Sequence, residues 1–126
     1  MTMPKILYIE DDFLNMQLVK KMVRFAGYEV LQAFDGRTGI KMAEELKPDV
    51  ILMDIDLPDM NGLEVTMILK ASAGLKDIPI IALTADSSAH SRCLEVGCDG
   101  YLSKPISRAG LLKVIQQFCQ PSQTYQ

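Results

Sequence analysis

Short apolar runs alternate with longer stretches in which apolar residues return every three or four positions, and the pattern continues along the whole chain. Ile6-Leu7-Tyr8-Ile9 predicts a buried strand, stopped by the acidic triplet Glu10-Asp11-Asp12. Over residues 13–26, Leu14, Leu18, Met22 and Phe25 recur at steps of four, four and three, the period of a helix, and Gly27 ends it. Residues 29–33 predict a second strand, and Asp35-Gly36 turns the chain into a second helix that stops before Pro48. Val50-Ile51-Leu52-Met53 is wholly apolar, as a strand covered on both faces would be, and it runs straight into Asp54. A third helix is expected over about 63–73, closed by Gly74, and a fourth strand over 79–83, ending at Thr84. Ser87 or Ser88 is the expected cap of a fourth helix reaching Glu95, with Gly97 beyond it. Residues 101–103 form a short fifth strand, and Ser107 caps a last helix to about Phe118. The tail, 120–126, is polar and expected to be loose.

Five strand–helix units in alternation predict an α/β domain, a parallel sheet wound on both faces by helices. Such crossovers are right-handed, and the site of an open sheet of this kind lies at the carboxyl ends of its strands. The chain has 126 residues, a length that fits one domain, with a core at about 4–119. Apolar residues make up 48% and charged residues 23%, an ordinary globular balance. The net charge of −3, with no long Lys/Arg block, gives no electrostatic footprint for nucleic acid; Lys20, Lys21 and Arg24 read as a solvated helix face. No apolar run approaches the roughly 20 residues of a membrane span, and the first residues lack the pattern of a signal peptide. Cys93, Cys98 and Cys119 show no zinc or disulfide spacing and read as reduced thiols, so a cytoplasmic protein is expected. The eight methionines read as core filler, and His90, the sole histidine, as a surface residue.

The residues that carry chemistry follow the strands. Glu10 and Asp11 come after strand one, Asp54 after strand three, Thr84 after strand four and Lys104 after strand five. In a parallel sheet these positions converge on one edge. Three carboxylates at close range repel and call for a neutralising cation, and Mg²⁺ takes carboxylate oxygens together with waters and phosphate oxygens. An aspartate can act as nucleophile toward a phosphoryl group, whose charge the metal, Lys104 and the Thr84 hydroxyl would share. No GxxxxGK[ST] or GxGxxG appears, so the phosphoryl donor is expected to come from outside. Singly, each residue has a plainer reading: the acid pair as charges at a helix N-terminus, with Asp12 as its cap, Thr84 as a turn hydroxyl, Lys104 as a surface lysine. The conjunction at four strand ends is what points to a site.

The segments KILYIEDD (5–12), DVILMDIDLPDMNGLEV (49–65), IPIIALTAD (78–86) and GYLSKPI (100–106) resemble the receiver domain of two-component response regulators, over residues 4–118. A narrower likeness, through FLNM (13–16), GLEVT (62–66) and SKPIS (103–107), is to the single-domain DivK type, a stand-alone receiver. The resemblance implies a flavodoxin-like (βα)5 fold with strand order 2-1-3-4-5. It implies that Asp54 is phosphorylated by a histidine kinase or histidine phosphotransfer protein. Mg²⁺ would be held by Glu10, Asp11, Asp54 and the backbone carbonyl of Asp56. Lys104 would pair with the phosphoryl group and be joined to Pro105 by a cis peptide. Thr84 and Tyr101 would act as the switch, remodelling the face of helix four, strand five and helix five for a downstream protein partner. Asp56 and Asp86 would set the lifetime of the phosphate. A monomer or weak dimer without enzymatic activity beyond its own phosphorylation and dephosphorylation is expected. Phe13 and Leu14, beside the acid pair, are candidates for contact with a kinase or phosphotransferase helix. Two other readings stay open: a pseudo-receiver that binds partners without phosphate, and a phosphatase using Asp54-Ile55-Asp56 as a DxD nucleophile motif. The absence of a cap and the position after strand three weigh against the phosphatase.

Overall fold

A computed structural model describes residues 3–121. The expected loose tail therefore lies mostly, over 122–126, outside the described residues. Five strands, β1 (Lys5–Ile9), β2 (Glu29–Ala33), β3 (Val50–Asp54), β4 (Ile80–Thr84) and β5 (Gly100–Ser103), form one parallel sheet in the order β2-β1-β3-β4-β5. The helices are α1 (Phe13–Phe25), α2 (Gly36–Leu46), α3 (Gly62–Ala71), α4 (His90–Glu95) and α5 (Arg108–Phe118).

The alternation of β1 divides the core in two. Leu7 and Ile9 face a cluster with Ala43 of α2, Val65 and Leu69 of α3 and Cys93 of α4, while Ile6 and Tyr8 face one with Val19 of α1 and Leu111 and Ile115 of α5. Successive side chains of a strand point to opposite faces, so one short run feeds both layers. Central β3 and β4 are buried at every position, which is why they read as unbroken apolar runs. Met16 and Met53 fill the core, whereas Met67 is exposed. Cys93, Cys98 and Cys119 are free thiols. Burial pushes the Cys98 thiol up to about 12. Among the described residues, no helix is long and apolar enough to cross a membrane.

Local chemistry sets the helix starts. The Asp12 carboxylate accepts from the Leu14 and Asn15 amides at 2.8 and 3.2 Å, Asn61 and Glu64 form a reciprocal capping box on α3, and Ser107 accepts from the Gly110 amide at 3.1 Å. One sequence expectation needs correction. Neither Ser87 nor Ser88 caps a long fourth helix: Asp86 accepts from the Ser88 amide and starts a 3₁₀ turn at Ser87–Ala89, and α4 follows without a side-chain cap. The helical series Leu14, Leu18, Phe25 lies on the solvent side of α1. Those residues are exposed, Leu14 by 76% and Phe25 by 81%, and Met16, Val19 and Val23 pack inward instead.

Candidate functional site

The sheet order puts β1 and β3 side by side although β2 intervenes in sequence, so the connections leaving their carboxyl ends diverge and open a crevice. Asp54 is the last residue of β3, only 2% exposed, and Glu10 follows β1, equally buried. Asp11 beside it is exposed. Glu10, Asp11 and Asp54 each offer a carboxylate oxygen, all within 4.8 Å of one another. The Lys104 ammonium donates to Asp54 Oδ1 at 3.0 Å and to Glu10 Oε1 at 3.4 Å, bridging the two buried acids.

Glu10 is placed by its neighbours: the Tyr8 hydroxyl donates to Oε1 at 2.9 Å and the Asp12 amide to Oε2 at 3.2 Å. Burial, followed by the nearby Glu10 charge, raises the Tyr8 hydroxyl far above its usual range, so it acts as a fixed donor. Burial also pushes Asp54 up to about 7, opposed by the Lys104 hydrogen bond and reinforced by the Glu10 charge. For Lys104 burial works against the ammonium, but Asp54 and Glu10 outweigh it and the pKa is raised. One cation thus faces three carboxylates, two of them buried, and the residual negative charge calls for another cation.

The donor set fits Mg²⁺: hard carboxylate oxygens, two fixed and one at the solvent edge, where waters would complete the shell of a bound ion. The segment after Asp54 forms the wall of this site. The Asp56 amide lies 3.4 Å from Asp54 Oδ1, and Asp56 pairs with Asn61 in a lone β-bridge. Gly62 then passes so near the strand that a Cβ there would lie 2.5 Å from the Asp54 carbonyl oxygen, which requires glycine. The Asp59 carboxylate reaches across to accept from the Gly36 and Arg37 amides at 2.8 and 3.0 Å, tying this loop to the start of α2. Those bonds, the one from Gly36 first, hold its carboxyl below the usual range. Asp11, Asp56 and Asn61 help to line the resulting cleft of about 360 Å³.

Thr84 ends β4 beside Asp54, buried, with its hydroxyl turned to the next loop: it accepts from the Asp86 amide at 3.0 Å and lies 3.3 Å from the Asp86 carbonyl. The Lys104–Pro105 peptide is cis. The fold brings Glu10, Asp11, Asp54 and Lys104 to one point, with Thr84 on the adjoining strand. Asp86 and Tyr101 lie outside the crevice. Asp86 is exposed and caps the 3₁₀ turn, and hydrogen bonds from Ser88, the side-chain one first, lower its pKa. Tyr101 faces outward, 40% exposed, with its ring stacked on His90. His90 is therefore half-buried against an aromatic ring and not a free surface residue. Sequence reading missed Tyr8 and Asp59. A tyrosine inside a buried strand needs a hydroxyl partner, which was a usable signal for Tyr8; the tie from Asp59 to α2 had none.

Comparison with known proteins agrees with this geometry. The response regulator receiver domain family matches residues 6–116. The chain is 40% identical over 119 residues to the polar-differentiation response regulator DivK of Brucella anthropi, covering 92% of this chain and 97% of that protein. It is similar to chemotaxis protein CheY4 of Vibrio cholerae, with a TM-score of 0.88 at 32% identity, covering 94% of this chain and all 100% of the other. The receiver domain of sensor histidine kinase PA1611 from Pseudomonas aeruginosa PAO1, solved with a magnesium ion coordinated in its active site cleft, gives a TM-score of 0.87 at 35% identity, with 93% and 98% covered.

Proposed function

The chain belongs to the response regulator receiver family of two-component signalling, and on that premise we propose that it is a single DivK-like receiver unit over residues 4–119 that accepts a phosphoryl group on Asp54. The donor is a phosphohistidine of a histidine kinase or phosphotransfer protein. The observation that carries this reading is the Lys104 ammonium 3.0 Å from Asp54 Oδ1, beside three clustered carboxylates.

In the proposed step an oxygen of the Asp54 carboxylate attacks phosphorus, the new O–P bond replaces the donor's N–P bond, and the imidazole leaves with the electron pair. Burial of Asp54 at the end of a rigid strand fixes the attacking oxygen and excludes competing water. Glu10, Asp11, Asp54 and the Asp56 carbonyl would hold Mg²⁺, which supplies neutralising charge to the phosphoryl oxygens. Lys104 moves from the carboxylate to a phosphoryl oxygen. Thr84, released from the Asp86 backbone, donates to another, and Tyr101 follows it inward. Asp56 and Asp86, two residues beyond Asp54 and Thr84 respectively, would tune the lifetime of the acyl phosphate.

The output is a shift between two conformations, read by a protein partner on the face of α4, β5 and α5, where Leu94, Tyr101 and Phe118 are exposed. The donor docks beside the acid pair, where Phe13 and Leu14 are 63% and 76% exposed at the start of α1. The protein would act as a monomer or weak dimer in the cytoplasm, with no activity on other substrates.

Incubation with acetyl phosphate and Mg²⁺ tests the reading. We expect one phosphoryl adduct by intact mass, stable to acid and labile to hydroxylamine, absent without Mg²⁺ and absent in Asp54→Asn. No adduct would favour a pseudo-receiver, and turnover of unrelated phosphate esters would favour a DxD phosphatase.

A further inference from the structure

Tyr101 sits in the middle of the sheet's outer strand, and its outward position is held by something specific. The His90 ring lies over it with 3.7 Å between ring centroids and an interplanar angle of 29°. The other edge of the imidazole is fixed too, with Ser103 Oγ 3.4 Å from His90 Nε2. Tyr101 and Ser103 point to the same side of β5, two residues apart, so the strand offers His90 a ring and a hydroxyl on one face.

His90 is also the first residue of α4, at the joint with the 3₁₀ turn, where its amide donates to the Ser87 carbonyl. That turn hangs from Asp86, whose backbone amide and carbonyl hold the Thr84 hydroxyl. A short covalent path therefore joins the buried end of β4 to the ring that covers Tyr101. α4 has no side-chain N-cap and is short, so little else fixes this joint.

We infer that His90 is a positioning residue that latches Tyr101 outward in the unphosphorylated protein and so sets the resting balance between the two conformations. This rests on the proposed function only in its account of what the inward state is for. Inward rotation of Tyr101 must break the stack with His90, and a movement of the Thr84–Asp86 turn displaces His90 at the same time. The two events would be coupled through one residue. The stack opposes the shift until a phosphoryl group pulls Thr84 away from Asp86.

The test compares wild type, His90→Ala and His90→Phe, the last keeping an aromatic ring over Tyr101. In the free proteins, side-chain scalar couplings of isotope-labelled tyrosine report the Tyr101 rotamer. A second rotamer should appear in His90→Ala and stay rare in His90→Phe. Beryllofluoride with Mg²⁺, which mimics an aspartyl phosphate, should then bind His90→Ala about three- to tenfold more tightly than wild type, the factor expected for loss of one aromatic stack. His90→Phe should bind like wild type. An unchanged Tyr101 rotamer in His90→Ala, or equal tightening in both variants, overturns the latch. Failure of wild type to bind beryllofluoride would count against Asp54 as acceptor, while the rotamer measurement would still decide the latch.

Discussion

Asp54 and Tyr28 are both buried polar side chains, and they meet burial in opposite ways. Tyr28 is satisfied: its hydroxyl donates to the Cys119 carbonyl at 2.6 Å and pins the end of α5 to the rest of the fold. Asp54 has one cation and crowding acids, an arrangement that favours function over stability. Burial raises the Tyr28 hydroxyl from 10.0 to about 12. A group whose folded pKa is raised contributes stability that is whole below the unfolded value and lost as pH climbs through the folded one. Tyr28→Phe should therefore cost about 1 kcal/mol at neutral pH. It should also lack the part of the wild-type loss of stability that falls between pH 10 and 12, as read by urea denaturation across that range. At this scale the sequence points to Glu10, Asp54 and Thr84 because each closes an apolar strand run, and to Asp11 and Lys104 because each lies one residue further on. Asp59 escapes because its partner, Gly36, comes near only once the chain is folded, whereas Tyr8 had a signal in its place two residues before Glu10 on a buried strand.

The elements were legible wherever a period and a terminator coincide, as in α1 with Asp12 before it and Gly27 after. The inward face of α1 was not legible. Apolar residues lie on both sides of that helix, and period alone does not say which side meets the sheet. The packing decides it: Val19 and Val23 join Tyr8 and Leu111, and Leu14 meets solvent. Val19→Ala should destabilise the fold by about 2 kcal/mol, whereas Leu14→Ala should change stability by less than about 0.5 kcal/mol. Urea midpoints of the two variants check this. If Leu14 serves the phosphoryl donor, its variant should instead slow transfer from a phosphorylated histidine protein and leave labelling by acetyl phosphate unchanged. The fourth helix was over-read for a related reason: two serines resemble caps, but the aspartate before them takes the amide first and leaves a 3₁₀ turn.

Across the whole molecule, the strand order brings together residues that sequence separates widely, Glu10 from Lys104 above all. Alternating strand and helix signals give the doubly wound class, and acids, hydroxyl and ammonium after strands one, three, four and five point to one edge of the sheet. The stacking of His90 on Tyr101 was beyond sequence, since it depends on where a short helix settles against an edge strand. On the proposed reading, this architecture serves to make one aspartate, Asp54, a phosphoryl acceptor. Borohydride reduction of the acetyl phosphate-treated protein converts an aspartyl phosphate to homoserine, and peptide mass spectrometry locates it. Homoserine is expected at position 54 alone, and only when Mg²⁺ is present during labelling. Homoserine at 11, 12 or 56, or none anywhere, would contradict it.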